Sequence, residues 1–297
     1  MNVHSKKLIV LVGPTAVGKT AVAIRMAEHF KTEIISADSR QIYKELEIGT
    51  AKPTEQELRQ IKHHFINTHS IEQPYDAGTY ERDALALIQD LFKNHDTLIL
   101  CGGSGLYVKA VLEGFDAMPE IPAGIRENIM KEYKQKGLAW LQERVKERDP
   151  EYFQGVDSKN PHRLVRALEL HFAKGKPLKE LRRAKKITRP FEIVKIGLEV
   201  EREELYKRID SRMEAMIAAG LFEEAERFFP KQNLNALQTV GYREIFGYLN
   251  NQYDREEAIR LLKRNSRRYA KRQLTWFKRD PEIKWFRPEQ RDEIIGL

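Results

Sequence analysis

A single cysteine, Cys101, stands among the 297 residues. No internal disulfide can form, and a cysteine-built zinc site is excluded. Such scarcity also fits a reducing compartment. No run approaches the ~20 apolar residues that a membrane-spanning helix needs. The first residues are polar and pass straight into a strand-like run, so no secretory leader is expected and the chain should be cytoplasmic. No internal repeat or low-complexity tract is present. What remains is a chain with 41% hydrophobic and 32% charged residues, enough for a large core beneath a charged surface, in one large domain or two joined ones.

The formal net charge is +8, and it is unevenly spread. Positions 119–187 carry 17 basic and 10 acidic residues, a net of +7; positions 255–279 carry 10 and 2, a net of +8. The remainder is then −7, so a mildly acidic body bears two basic patches. That suits a polyanionic partner, and it equally suits two solvated helix faces.

The pattern alternates strand and helix at first. Apolar runs at 7–12, 32–37 and 97–101 read as buried strands. Helical spacing follows Gly18, recurs over 80–93 and returns over 105–113. The alternation predicts a parallel sheet with crossover helices. It breaks near Met118, where Pro119, Pro122 and Gly124 punctuate the chain. From Ile125 to about Lys186 the period is helical; a strand-like run over 191–200 and further helices to Phe277 follow. The expected architecture is α/β: a P-loop core (1–118), a helical insertion (119–188) and a return to the core ending in basic helices (189–297).

Gly13-Pro14-Thr15-Ala16-Val17-Gly18-Lys19-Thr20 fits G-x-x-x-x-G-K-[ST] between a predicted strand and a predicted helix. Glycines let successive N–H groups converge on phosphate oxygens, and the helix adds its positive end. Lys19 supplies a point charge and the Thr20 hydroxyl a ligand for Mg²⁺. Such a loop holds a di- or triphosphate. Nucleotide hydrolases usually end a later buried strand in an acid that helps hold the metal; here that strand ends in Gly102-Gly103-Ser104. Asp38 follows the apolar pair Ile34-Ile35 at a strand's carboxyl end, the edge that faces the ligand in such sheets. It reads as a proton acceptor or as a turn aspartate, and position alone does not choose.

Five blocks occur in order: GPTAVGKT (13–20), SADSRQIYKELEIGTAKP (36–53), GGSGLYVKAVLEG (102–114), QTVGYRE (238–244) and YAKRQLTWF (269–277). Together they closely resemble the bacterial tRNA dimethylallyltransferases, also called tRNA isopentenyltransferases. Ser104 stands where that family often has Thr, and Asn67 where Asp is common. The resemblance implies transfer of a dimethylallyl group from dimethylallyl diphosphate to N6 of the adenine just 3′ of the anticodon, in tRNAs reading codons that start with U. It implies a P-loop core with a helical insertion, and Asp38 as general base with Ser104 holding Asp38 or the amino group. Mg²⁺, a tRNA anticodon stem-loop and a monomer acting away from membranes complete the expectation.

Around that chemistry, residues 13–20 become the diphosphate ligands. Arg208 and Arg212, four apart on one helix face, join them as candidates or remain ordinary surface charges. Candidate tRNA contacts are Asp38, Ser39, Arg40, Gln41 and Ser104, then Arg126, Arg163 and Arg166 in the insertion. Gln238, Thr239, Val240, Gly241, Tyr242 and Arg243 follow, with Tyr242 offered for stacking. Arg260, Arg264, Arg267, Arg268 and Lys271 form a cationic stripe opposite Leu262, Tyr269, Gln273 and Phe277. Trp276 and Phe277 are assigned to packing in preference to base stacking. His63, His64 and His69 are structural or loop residues, and Cys101 an inert core thiol. A P-loop kinase of a nucleoside or small metabolite and a non-catalytic RNA-binding module are the competing readings. Binding of tRNA should weaken steeply with added salt, because phosphate contacts release counterions; a flat titration would show that the basic patches are not the RNA footprint.

Overall fold

The apolar run Lys7–Val12 forms β1, and the glycine loop after it leads into α1 (Lys19–Phe30). β2 (Ile34–Ser36), α2 (Glu55–Gln60), β3 (His63–His64), α3 (Ala77–Leu91), β4 (Thr97–Gly102) and α4 (Gly105–Glu113) follow. In this computed structural model residues 6–115, 121–122, 124–177 and 187–296 are described. Next come α5 (Ile125–Arg148), α6 (Pro150–Gly155) and α7 (Pro161–Lys174). The chain then forms β5 (Glu192–Leu198), α8 (Arg202–Ala218), α9 (Leu221–Phe228), α10 (Tyr242–Leu249), α11 (Arg255–Phe277), β6 (Lys284–Phe286) and α12 (Arg291–Ile295).

The six strands make one sheet in the order β3-β2-β4-β1-β5-β6, every pair parallel. Successive side chains of a strand point to opposite faces. Accordingly Leu8, Val10 and Val12 join one core cluster while Ile9 and Leu11 join another. A sheet buried on both faces explains why β1 and β4 are continuously apolar instead of alternating. The α/β P-loop architecture read from the sequence is therefore present. β2 is shorter than the expected 32–37, because Thr32 donates its N–H to Ala27 and so finishes α1. β3 and β6 had not been anticipated; they are edge strands of two and three residues.

Two compact units divide the chain: Met1–Glu113 with Thr188–Leu297, and Gly114–Ile187. The second is helical, with Leu141, Val145, Leu164 and Leu168 in its own core. Gly137, at φ 76°, breaks α5 in two. Asn160 caps α7 and Pro161 occupies its first turn, a pairing suited to a helix start. Within this unit Glu169 is almost wholly buried, and Arg126 (2.6 Å) and Arg166 (3.2 Å) neutralise it. The helical tail expected to run to about Lys186 lies outside the described residues beyond 177.

In the first unit a second buried acid fixes a loop beside the phosphate-binding strand ends. Glu224 of α9 accepts the N–H groups of Glu47 (3.0 Å), Ile48 (2.9 Å) and Gly49 (2.9 Å), and the Tyr242 hydroxyl at 2.5 Å. Glu224→Ala would strand three amides and a hydroxyl. At ~1–3 kcal/mol for each of these unsatisfied groups, the variant should lose at least about 4 kcal/mol of stability. Urea unfolding measures this, and a loss below about 1 kcal/mol would contradict the accounting.

Candidate active site

The phosphate loop needs backbone angles that side chains resist. Gly13 sits at φ +153° and Gly18 at φ +104°, and a Cβ on Gly13 would lie 2.7 Å from the Leu198 carbonyl of β5. Lys19 donates to the carbonyls of Gly13 (3.0 Å) and Pro14 (2.7 Å). Burial pushes its pKa down to about 8, against the opposing fields of Cys101 and Asp38. Thr20 follows in the first turn of α1. Both arginines predicted on α8 do reach this loop. Arg208 donates to Val17 O at 3.2 Å, and Arg212 to Thr15 Oγ1 at 3.3 Å and to Ala51 O at 3.2 Å. Arg208 also pairs with Glu204 at 2.5 Å.

Asp38 lies just past β2 and forms a turn of its own. Its Oδ1 accepts the N–H groups of Arg40 (2.9 Å) and Gln41 (3.3 Å). The turn reading therefore holds, and the turn fixes a carboxylate that lines a cavity with Thr15, Arg212 and Tyr269. Ser104 does not hold Asp38 directly. Its Oγ accepts the Ser39 N–H at 2.9 Å and donates to Ser39 Oγ at 3.2 Å, so it steadies the residue after the acid. Burial raises the Tyr269 hydroxyl to about 12.

The cavity measures about 100 Å³. Its polar lining comes from Thr15, Asp38, Arg40, Arg212 and Ser266; its apolar lining from Ile209, Met213, Met216, Leu221 and Val240. Thr239, Val240 and Gly241 of the predicted RNA segment line it, while Gln238 and Arg243 are exposed. Tyr242 departs from expectation. It is 0% exposed, its ring fills the space over Gly49, and its hydroxyl is spent on Glu224. It is a core brace and cannot stack on a base.

Arg40 and Gln41, offered to flanking bases, already serve the fold. Arg40 donates to Asn235 O at 3.0 Å, and the Gln41 amide to Thr50 O (3.3 Å) and Ala51 O (3.0 Å). In the helical unit Arg126, Arg163 and Arg166 are exposed, the first and last sharing Glu169. The cationic stripe of α11 is partly neutralised, with Arg260 on Glu257 and Arg267 on Asp210. Phe277 packs in the core as read, but Trp276 is 38% exposed, its indole lying over Gly105. Sequence reasoning did not assign Tyr269, Ser266, Glu224 or Gln273 to the site. The available signal for Gln273 was an amide at a core-facing helical position, together with a Gly-Gly pair at a strand end.

Comparison with known proteins follows the same lines. A family model described as IPP transferase matches residues 41–280. A tRNA dimethylallyltransferase of Cytophaga hutchinsonii is 53% identical over 99% of this chain and 97% of its own length. One from Christiangramia forsetii is 47% identical over 98% and 96%. Among solved structures, the full-length tRNA isopentenylpyrophosphate transferase of Bacillus halodurans superposes with a TM-score of 0.72 at 34% identity, covering 98% of this chain and 95% of that one. A eukaryotic dimethylallyltransferase acting on tRNA gives 0.77 at 25% identity, covering 97% and 78%. With the motif blocks, the sheet and the whole-length relatives in agreement, the chain belongs to the IPP transferase family.

Proposed function

We propose that this protein is a tRNA dimethylallyltransferase, moving the dimethylallyl group of dimethylallyl diphosphate onto N6 of the adenine 3′-adjacent to the anticodon. One observation carries the reading: a single small cavity is lined by a carboxylate, by an arginine that touches the phosphate loop, and by an apolar wall of Ile209, Met213, Met216 and Leu221. A leaving diphosphate, a short isoprenoid and a proton acceptor need those three surfaces together.

In the transfer, N6 bonds to the allylic carbon as its bond to the diphosphate oxygen breaks. The electron pair leaves with the diphosphate, and the N6 proton passes to Asp38. Negative charge therefore grows on the diphosphate, where Lys19, Arg208, Arg212 and the loop's N–H groups meet it. Asp38 needs no raised affinity for protons, because N6 becomes acidic as it is alkylated. The residues suit Mg²⁺: Thr20 would offer one hydroxyl at the head of α1, with diphosphate oxygens and water as further ligands, as is usual for a cation that keeps few protein ligands. When bound, Mg²⁺ would neutralise the departing diphosphate. The target adenine must leave its stack, at a cost of roughly a few kcal/mol that is lower in a loop than in a duplex. Exposed Trp276 beside the basic face of α11 offers a stacking surface to offset it.

Radiolabelled dimethylallyl diphosphate incubated with unmodified tRNA tests the reading: label should enter the adenine, and γ-phosphate transfer from ATP with unlabelled tRNA would favour a kinase instead. Asp38→Ala should lower kcat by roughly 10²–10⁴-fold while tRNA affinity changes little; lost affinity with normal turnover would remove Asp38 as the base. Lys19 adds a linkage prediction. With its pKa depressed to about 8, part of the population is neutral just above that pH, and a bound diphosphate favours the charged form. Diphosphate binding should therefore take up a proton there and strengthen as pH falls through that value. Calorimetry in buffers of different ionisation enthalpy reads this, and Lys19→Met should remove the Lys19 share.

A further inference from the structure

Gln273 sits on α11, 258 positions along the chain from the phosphate loop, yet it belongs to that loop's structure. It is 6% exposed. Its Oε1 accepts the Thr15 N–H at 2.8 Å, and its Nε2 donates to Gly103 O at 2.9 Å. One amide thus joins the loop after β1 to the end of β4. The fit is close: a Cβ on Gly103 would lie 2.3 Å from the Gln273 Nε2, and one on Gly102 would lie 2.2 Å from Ala37 O. This is the strand end that carries a metal-binding acid in nucleotide hydrolases. Here a side chain at Gly102 would run into the Ala37 backbone, and the space beside Gly103 holds the Gln273 amide.

We propose that Gln273 is a positioning residue that sets the phosphate loop for diphosphate. By tying down the Thr15 N–H it fixes which loop amides remain to meet phosphate oxygens. By holding Gly103 O it locks the strand end that leads to Ser104. The amide is suited to this because it accepts on one side and donates on the other without adding charge beside a polyanion. The inference rests on the diphosphate-transfer reading above, and inorganic diphosphate with Mg²⁺ is the probe that separates the two.

Titration of the full chain by calorimetry is the test. Wild type should bind inorganic diphosphate; if it does not, the transfer reading itself fails at its cradle. Gln273→Leu keeps the bulk but loses both bonds and should bind roughly five- to fiftyfold more weakly, with tRNA affinity measured separately and little changed. Gln273→Glu gives a signature that a merely structural role would not. As a carboxylate it keeps the acceptor, loses the donor and adds a negative charge; protonated, it regains the donor and mimics the amide. Its affinity relative to wild type should be low near about pH 8 and recover towards about pH 6, with burial favouring the protonated form. The ratio to wild type at each pH removes the titration of the diphosphate and of Lys19. Arg212 on Thr15, Arg272 on the same helix and Asp38 past β2 are the other charges of this region, and they are shared by both proteins. Wild-type affinity in Gln273→Leu, or a glutamate variant that follows the leucine variant at every pH, would overturn the proposal.

Discussion

The site exists because the carboxyl ends of β2 and β4 approach more closely than side chains permit. The Ala37 N–H donates to Cys101 O at 2.8 Å, and the Ser104 N–H returns to Ala37 O at 3.2 Å. Gly102 lies between these bonds, where a methyl group would fall 2.2 Å from the Ala37 oxygen. That contact brings Asp38 and Ser39, which end one strand, against Ser104, which ends the other. β1 lies on the far side of β4, so its phosphate loop opens beside the same edge. Asp38 and the glycine loop after β1 are neighbours through sheet order and not through proximity in sequence.

A second set of constraints comes from the end of the chain. α8 sends Arg208 and Arg212 into the loop, α9 anchors residues 47–49 through Glu224, and α11 supplies Tyr269 and Gln273. The first hundred residues alone provide a phosphate loop and an aspartate, the kit of many nucleotide enzymes. The segment after β5 closes that kit around a small, half-apolar cavity. On the proposed reading, specificity for an alkyl diphosphate would reside largely in these residues, which carry no recognisable nucleotide motif.

That division explains what the sequence revealed. β1, α1, β4 and α4 were legible because continuous apolar runs and a contiguous motif declare buried parallel strands and a phosphate turn. The placing of Asp38 at the carboxyl edge of the sheet was legible from Ile34-Ile35, although its role was not. β3 and β6 were not, since edge strands of two or three residues bury too little to leave a pattern. Gln273 and Glu224 escaped because a buried polar residue on an amphipathic helix has no periodic signature, and their partners lie 258 and about 176 positions away. Tyr242 was misread for a related reason. An aromatic after a glycine looks available for stacking, but here Gly49, remote in sequence, leaves the ring its seat.

The two arginines at the loop are not equivalent, and their partners say which one has more to offer a diphosphate. Arg208 is held by Glu204 at 2.5 Å, so a phosphate oxygen must share or displace a carboxylate already bonded to it. Among the described residues Arg212 bonds neutral oxygens, Thr15 Oγ1 and Ala51 O, and burial disfavours its charge while Asp38 supports it. Exchanging a carbonyl for a phosphate oxygen pairs a donor that is already charged with a formally negative acceptor, adding the attraction of opposite charges. Lys19 is in the same position, its ammonium resting on the carbonyls of Gly13 and Pro14. Both cations thus rest against neutral oxygens in a partly buried place, a cost that a diphosphate would relieve. On the proposed reading, Lys19 and Arg212 are therefore the pair whose interactions should strengthen most as charge builds on the leaving group, with Arg208 steadying the loop behind them.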